Sequence, residues 1–199
     1  LFRSGNILRH IQFERFYLDR SFYYSLTSLK HLFETHDMVI TDVEEIEPHG
    51  GSLQVTVQRT AAKAQPSPRV AALLQDEERT LTTDTLNAFR QNVEAQMAAF
   101  RDVLAQHKQA GRRVAGYGAP ARVSTICNYG QIGPALIEFT VDDSPLKQNK
   151  YTPGTHIPIV TRTHLETNRP DILVVFAYEY LDDIRKKTGG SYRYLRPIP

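Results

Sequence analysis

The chemistry-bearing stretch of this chain is Gly116-Tyr117-Gly118-Ala119-Pro120-Ala121-Arg122. Its Gly116-x-Gly118-x-x-Ala121 spacing is that of a Rossmann-like nucleotide turn, provided that a strand precedes it and a helix follows. In such a turn the first glycine permits the tight bend and the second lets a phosphate approach the backbone. The small third residue lets helix and strand pack closely, and the unpaired N–H groups of the helix start favour an anion. Arg122 would add a charge-assisted contact from the first helical turn. Asp142, at the end of the next predicted strand, is placed to receive a ribose hydroxyl. A second reading stays open, in which the glycines serve only a tight strand-to-helix connection.

Other residues carry weaker signals. His49, next to Gly50 and Gly51, reads either as a general base or as the cap of a hairpin. Cys127, the single cysteine, falls on a predicted helix and reads as a small core residue. It excludes an intrachain disulfide and any cysteine-rich zinc site. The seven histidines are scattered without metal-ligand spacing, with His31 and His36 expected to face solvent. The aromatic run Phe16, Tyr17, Phe22, Tyr23 and Tyr24 suits either a pocket lining or a core with outward hydroxyls.

The elements that must position these groups follow from periodicity. Residues 27–36 place Leu29, Leu32 and Phe33 on one helical face behind a Thr/Ser start. Two strands, 38–47 and 52–59, flank Pro48-His49-Gly50-Gly51 and predict a hairpin. Residues 61–69, with two prolines and no apolar period, predict a linker between a segment 1–60 and a domain 70–199. From Val70 the pattern is helical, and Leu86, Phe89, Val93, Met97, Phe100 and Leu104 recur at three and four up to Gly111. A short run at 112–115 leading into the glycine turn, strands at 136–141 and 171–176 and a helix at 178–187 complete the pattern. Strand, glycine turn, helix, strand, strand, helix predicts an α/β fold: a Rossmann-like parallel sheet with flanking helices, preceded by a helix and a β-hairpin.

Composition limits the function classes. The 199 residues are 41% hydrophobic and 23% charged, enough for a packed core and unlike a disordered tail. The 24 Lys and Arg nearly cancel the 22 Asp and Glu, so general nucleic-acid affinity is not expected. No long apolar run and no secretory leader pattern are present, which predicts a cytoplasmic protein without membrane association.

Several separated segments together resemble the C-terminal region of the SAM-dependent sugar C-methyltransferases, enzymes that methylate a carbon of a nucleotide-linked deoxysugar. They are Ser25-Leu26-Thr27-Ser28-Leu29, His49-Gly50-Gly51-Ser52-Leu53, the glycine turn, Asn128-Tyr129 with Ile132-Gly133, Thr140-Val141-Asp142, Pro153-Gly154-Thr155-His156-Ile157-Pro158-Ile159, Arg169-Pro170-Asp171 and Pro197-Ile198-Pro199. They occur in family order across nearly the whole chain. The resemblance implies a Rossmann-like domain that helps to hold the nucleotide-sugar through Gly116, Tyr117, Gly118, Ala119, Pro120, Arg122, Asp142 and His156. It also implies that S-adenosylmethionine and zinc belong to preceding domains. The expectation is therefore that this chain, which starts at Leu1, is a portion of a longer enzyme and inactive by itself.

The resemblance also bears on catalysis. Where the family has Tyr-His-Glu-His-Leu-Ser-Tyr-Phe, this chain has Tyr17-Leu18-Asp19-Arg20-Ser21-Phe22-Tyr23-Tyr24. Tyr17 matches, Asp19 replaces Glu, and both histidines are replaced. The expected catalytic residues are Tyr17, Asp19, Arg20 and His49, with Tyr17 first and with Arg20 either lowering the pKa of a phenol or stabilising an enolate. The alternative is a nucleotide-binding or interaction module that has lost its active-site histidines. Exposed aromatics near the N-terminus predict self-association of the isolated piece.

Overall fold

The computed structural model describes residues 4–17, 21–46 and 52–198. The chain divides into two compact units, one made of residues 1–13 and 18–92, the other of Glu14–Tyr17 and Val93–Pro199.

The first unit begins with α1 (Ser4–Arg9) and α2 (Leu26–Glu34). Ser25 caps α2 reciprocally: its hydroxyl accepts from the Ser28 N–H, and the Ser28 hydroxyl accepts from the Ser25 N–H. The predicted hairpin forms as β1 (Met38–Ile46) and β2 (Ser52–Arg59), antiparallel, with an irregularity between Ile40 and Asp42. Its apolar side chains Ile40, Val43 and Leu53 pack with Leu26 and Leu29 of α2 and with Val70 and Leu73 of α3 (Pro68–Thr80). Pro68 opens α3, where its missing N–H costs nothing.

The helical stretch predicted from Val70 onward is two helices. α3 stops because Leu81 leaves helical geometry (ψ 64°), and Thr82 then accepts from the Thr85 N–H to start α4 (Thr83–Gln109). α4 runs from the first unit into the second, where it buries Val93, Met97, Phe100 and Leu104. Gly111 (φ +72°) follows its end, as the stop signal requires.

The second unit is built on β3 (Val114–Tyr117), α5 (Ala121–Tyr129), β4 (Thr140–Val141), β5 (Lys150–Tyr151), β6 (Pro158–Val160), α6 (Arg162–Thr167), β7 (Ile172–Val175), α7 (Leu181–Lys187) and β8 (Arg193–Leu195). The strand order is β5-β6-β4-β3-β7-β8, parallel except for the β5–β6 pair. β3 and β7 are buried at every position, which explains their uninterrupted apolar runs. The α/β expectation holds, with two refinements. The strand expected over 136–141 is only Thr140–Val141, although Ile137 and Phe139 are buried as a strand's would be. Before it, the Leu136 and Ile137 N–H groups turn back to the Gly133 carbonyl, and the chain first bonds to β3 at Glu138, whose N–H donates to the Val114 carbonyl. The short strands β5, β6 and β8 and the helix α6 carry too few residues for a legible alternation.

No helix among the described residues is long and apolar enough to cross a membrane, and no cluster of three or more His, Cys, Asp or Glu there could hold a metal.

Candidate functional site

In the second unit the chain goes from β3 through α5 to β4 on one side, and later reaches β7 on the other side of β3. The strand order therefore reverses between β3 and β7. In open parallel sheets, the crevice beyond the carboxyl ends of two such strands is where ligands bind. The residues reaching it are Gly118-Ala119-Pro120 and α5 after β3, and Phe176-Ala177-Tyr178-Glu179 after β7.

The glycine turn has the predicted strand before it and helix after it. Gly118 adopts φ +90°, and a Cβ there would sit 2.9 Å from the Ala177 Cβ. A Cβ on Gly116 would lie 2.7 Å from Thr140 Oγ1 and 2.9 Å from the Phe176 ring. Both glycines are thus required by close packing of neighbouring chain, the plain role that the sequence left open. Asp142 holds the turn in place. Its Oδ2 accepts from the Ala119 N–H at 2.7 Å and its Oδ1 from the Ser144 N–H at 2.9 Å, while Lys147 Nζ lies 3.3 Å from Oδ2 and donates to the Ala119 carbonyl. The acid expected to meet a ribose is engaged by the protein's own backbone.

Tyr117 points into the core formed by Leu173, Val175, Leu181 and Ile184, and its hydroxyl donates to Asp143. Burial first, and then the Asp143 charge, push its phenol up to about 12. Lys187 donates to the same Asp143 at 2.8 Å, and this hydrogen bond is the largest cause holding that carboxyl below its ordinary value. Tyr117 is therefore a fixed pillar under the turn. Pro120 is the first residue before α5, with extended backbone (ψ 165°).

Arg122 is the predicted site residue that faces a cluster. Its guanidinium lies 2.6 Å from Glu179 and 4.8 Å from the ring centre of Tyr178, so it is paired and stacked at once. The Tyr178 hydroxyl donates to Glu14 Oε1 at 2.7 Å. Burial, and then the Glu14 carboxylate, push the Tyr178 phenol well above its ordinary value, so it stays a protonated donor. Glu14 is 1% exposed, and its Oε2 receives no hydrogen bond among the described residues. The chain Glu14–Tyr178–Arg122–Glu179 brings an acid, a phenol, a cation and a second acid together where the strand order reverses. Beside it a groove of about 400 Å³ is lined by Tyr178, Glu179, Arg185, Tyr194 and Arg196, a volume at the lower end of small-molecule sites.

Tyr17 belongs to this second unit. The short segment Glu14–Tyr17 is bonded there through Glu14 and through the Phe16 carbonyl, which accepts from Thr125 Oγ1 on α5 at 2.9 Å. Asp19, Arg20 and His49 lie outside the described residues. His156 stands apart: it sits exposed, with φ +57°, in the loop before β6, at the amino end of the parallel strands and so across the sheet from Arg122. Cys127 is fully buried, and that burial pushes its thiol up to about 12, as suits a core residue. His31 and His36 are exposed as expected.

Sequence reasoning missed Glu14, Tyr178 and Glu179. The two that follow β7 could have been found, because they come directly after the apolar run Val174-Val175-Phe176 and hence at a carboxyl strand end. Glu14 offers no such signal; it lies in a short 3₁₀ turn, Phe13–Arg15.

A family model described as the C-methyltransferase C-terminal domain matches residues 47–195. The C-methyltransferase NovU of Streptomyces niveus is 31% identical over 97% of this chain. The matched part is 47% of that protein, so the chain spans about half the length of the curated relative.

Proposed function

The chain belongs to the C-methyltransferase C-terminal domain family, and from that premise we propose that it is the acceptor-holding part of a SAM-dependent C-methyltransferase whose substrate is a nucleotide-linked keto-deoxysugar. The observation that carries this reading is the Glu14–Tyr178–Arg122–Glu179 cluster where the strand order reverses between β3 and β7. Arg122, at the first turn of α5, supplies a cation for the diphosphate, and the helix start adds its own positive end. The neighbouring groove gives room for the rest of the ligand.

Bound SAM supplies an electrophilic methyl group to such a reaction. We do not place it on this chain. Asp142 is committed to the Ala119 and Ser144 N–H groups, so in this reading it orders the glycine turn and does not meet a ribose. What this chain contributes is the hold on the acceptor and a group for the proton that leaves the carbon beside the keto function. Tyr17 is that group in this reading, with the developing enolate oxygen stabilised by a nearby donor or cation. The reaction is placed in the cytoplasm, and zinc outside these residues.

Calorimetry tests the reading. A nucleoside-diphosphate-linked keto-deoxysugar titrated into the 199-residue chain gives stoichiometric heat, and SAM gives none. Arg122→Ala weakens the nucleotide-sugar about tenfold or more, the loss expected for a charge-assisted contact. Tight SAM binding by this chain, or an unchanged affinity in Arg122→Ala, overturns the placement.

A further inference from the structure

Residues 14–17 follow α1 in sequence yet belong to the second unit. Two of the bonds that hold them there involve side chains of that unit. Glu14 Oε1 accepts from Tyr178, the third residue after β7, and the Phe16 carbonyl accepts from Thr125, one turn beyond Arg122 on α5. These are the two elements that bound the crevice. The tether thus fixes the residue just before Tyr17 to the wall that carries Arg122.

The way Glu14 is spent is uneconomical for a purely structural contact. Burying a carboxylate is costly unless several donors surround it, and an apolar side chain of similar volume would secure a chain segment at lower cost. Glu14 is almost fully buried, with a neutral phenol on one oxygen and no hydrogen bond on the other among the described residues. What a carboxylate adds over an apolar residue is direction. A single charge-assisted O–H···O bond fixes the segment's position along Tyr178, and Tyr178 is itself fixed by the guanidinium of Arg122 over its ring.

We propose that Glu14 and Tyr178 are positioning residues, whose hydrogen bond, together with that from Thr125 to the Phe16 carbonyl, registers Tyr17 against the Arg122 wall of the acceptor site. The inference rests on the reading of Tyr17 given above. Misplacement of a reacting group by about an ångström costs up to about a hundredfold in rate without a comparable loss of binding, so the tether governs turnover more than affinity.

The test uses the full-length methyltransferase, with SAM and a nucleoside-diphosphate-linked keto-deoxysugar as probes. Tyr178→Phe lowers kcat about tenfold or more, leaves KM for SAM within about twofold, and speeds amide hydrogen exchange at residues 15–17. Glu14→Ala does the same. Glu14→Gln, which keeps an oxygen able to accept from Tyr178, recovers most of the rate that Glu14→Ala loses. If Tyr178→Phe does not fold, Thr125→Val, at a half-buried hydroxyl, carries the same three readouts. An unchanged kcat or unchanged exchange in these variants overturns the proposal. So does a Glu14→Gln enzyme as slow as Glu14→Ala, because the charge rather than the tether would then matter. Full turnover in Tyr17→Phe would remove the role given to Tyr17, while the exchange measurement would still report on the tether separately.

Discussion

Two buried glutamates, one in each unit, are used in opposite ways. Glu77 on α3 is 2% exposed and fully employed: Oε1 accepts from the Leu26 N–H, and Oε2 accepts from both the N–H and the hydroxyl of Thr27, all at 2.8 Å. These donors are the first turn of α2, where orphan N–H groups and the helix dipole both favour a negative charge. Glu14 is equally buried but has a single phenolic donor. A carboxylate saturated by backbone donors holds a fold together. A half-satisfied one adds little stability, and its retention points to what it positions. Asp142 stands with Glu77, since two backbone N–H groups and Lys147 occupy it.

The contrast can be broken by mutation. The largest effect expected is Glu77→Ala, which leaves the α2 N-terminus without its acceptors and lowers the stability of the first unit by about 3 kcal/mol. Chemical denaturation followed by circular dichroism measures this, and a loss below about 1 kcal/mol would erase the distinction. Glu14→Ala is expected to change stability by no more than about 1 kcal/mol, because the lost hydrogen bond is offset by relief of a buried charge. The same denaturation curves, fitted for the second unit, decide it; a loss equal to that of Glu77→Ala would make both glutamates structural.

The smallest effect concerns pH. Glu138 lies between Lys108 and Arg113, at 2.9 and 2.8 Å. Burial raises its carboxyl, but the hydrogen bonds from these two cations more than offset that and hold it below the ordinary 4.5. A depressed folded-state pKa stabilises above the unfolded value and is lost as pH falls through the folded value. The second unit therefore loses stability as pH drops below about 4.5, the unfolded-state value that marks the start of the loss. Glu138→Gln flattens that acid limb by less than about 1 kcal/mol, since the pair is partly solvated. An acid limb of unchanged slope in Glu138→Gln would assign the effect elsewhere, with Asp143 the next group to replace.

Much of the architecture was legible in the chain, for local reasons. The hairpin could be read from β-branched residues on either side of a proline–glycine break, and α4 from apolar residues at three and four. β3 and β7 could be read because a doubly covered parallel strand is apolar throughout. The two-residue strands were not legible, since β4 and β5 have no period to display, and α3 and α4 looked continuous because Leu81 is an ordinary helix former. The site divides in the same way. Gly116 and Gly118 announced a tight turn, but their neighbours Thr140, in β4, and Phe176 and Ala177, just after β7, are distant in sequence, and these neighbours make the glycines a packing need.

What the sequence determined by itself is the class of the fold, the position of the glycine turn between a strand and a helix, and a likeness to C-methyltransferase C-terminal regions that the family match bears out. Side-chain periodicity and turn chemistry are encoded over a few residues, so they survive without the rest of the chain. Only the tertiary structure decided that Asp142 closes on the turn, that His156 stands at the opposite edge of the sheet, and that Glu14 meets Tyr178 across 164 positions. The physical reason is that strand order is set by which apolar faces bury together. That choice brings sequence-distant polar groups to one carboxyl edge, where a buried acid has to find its donor.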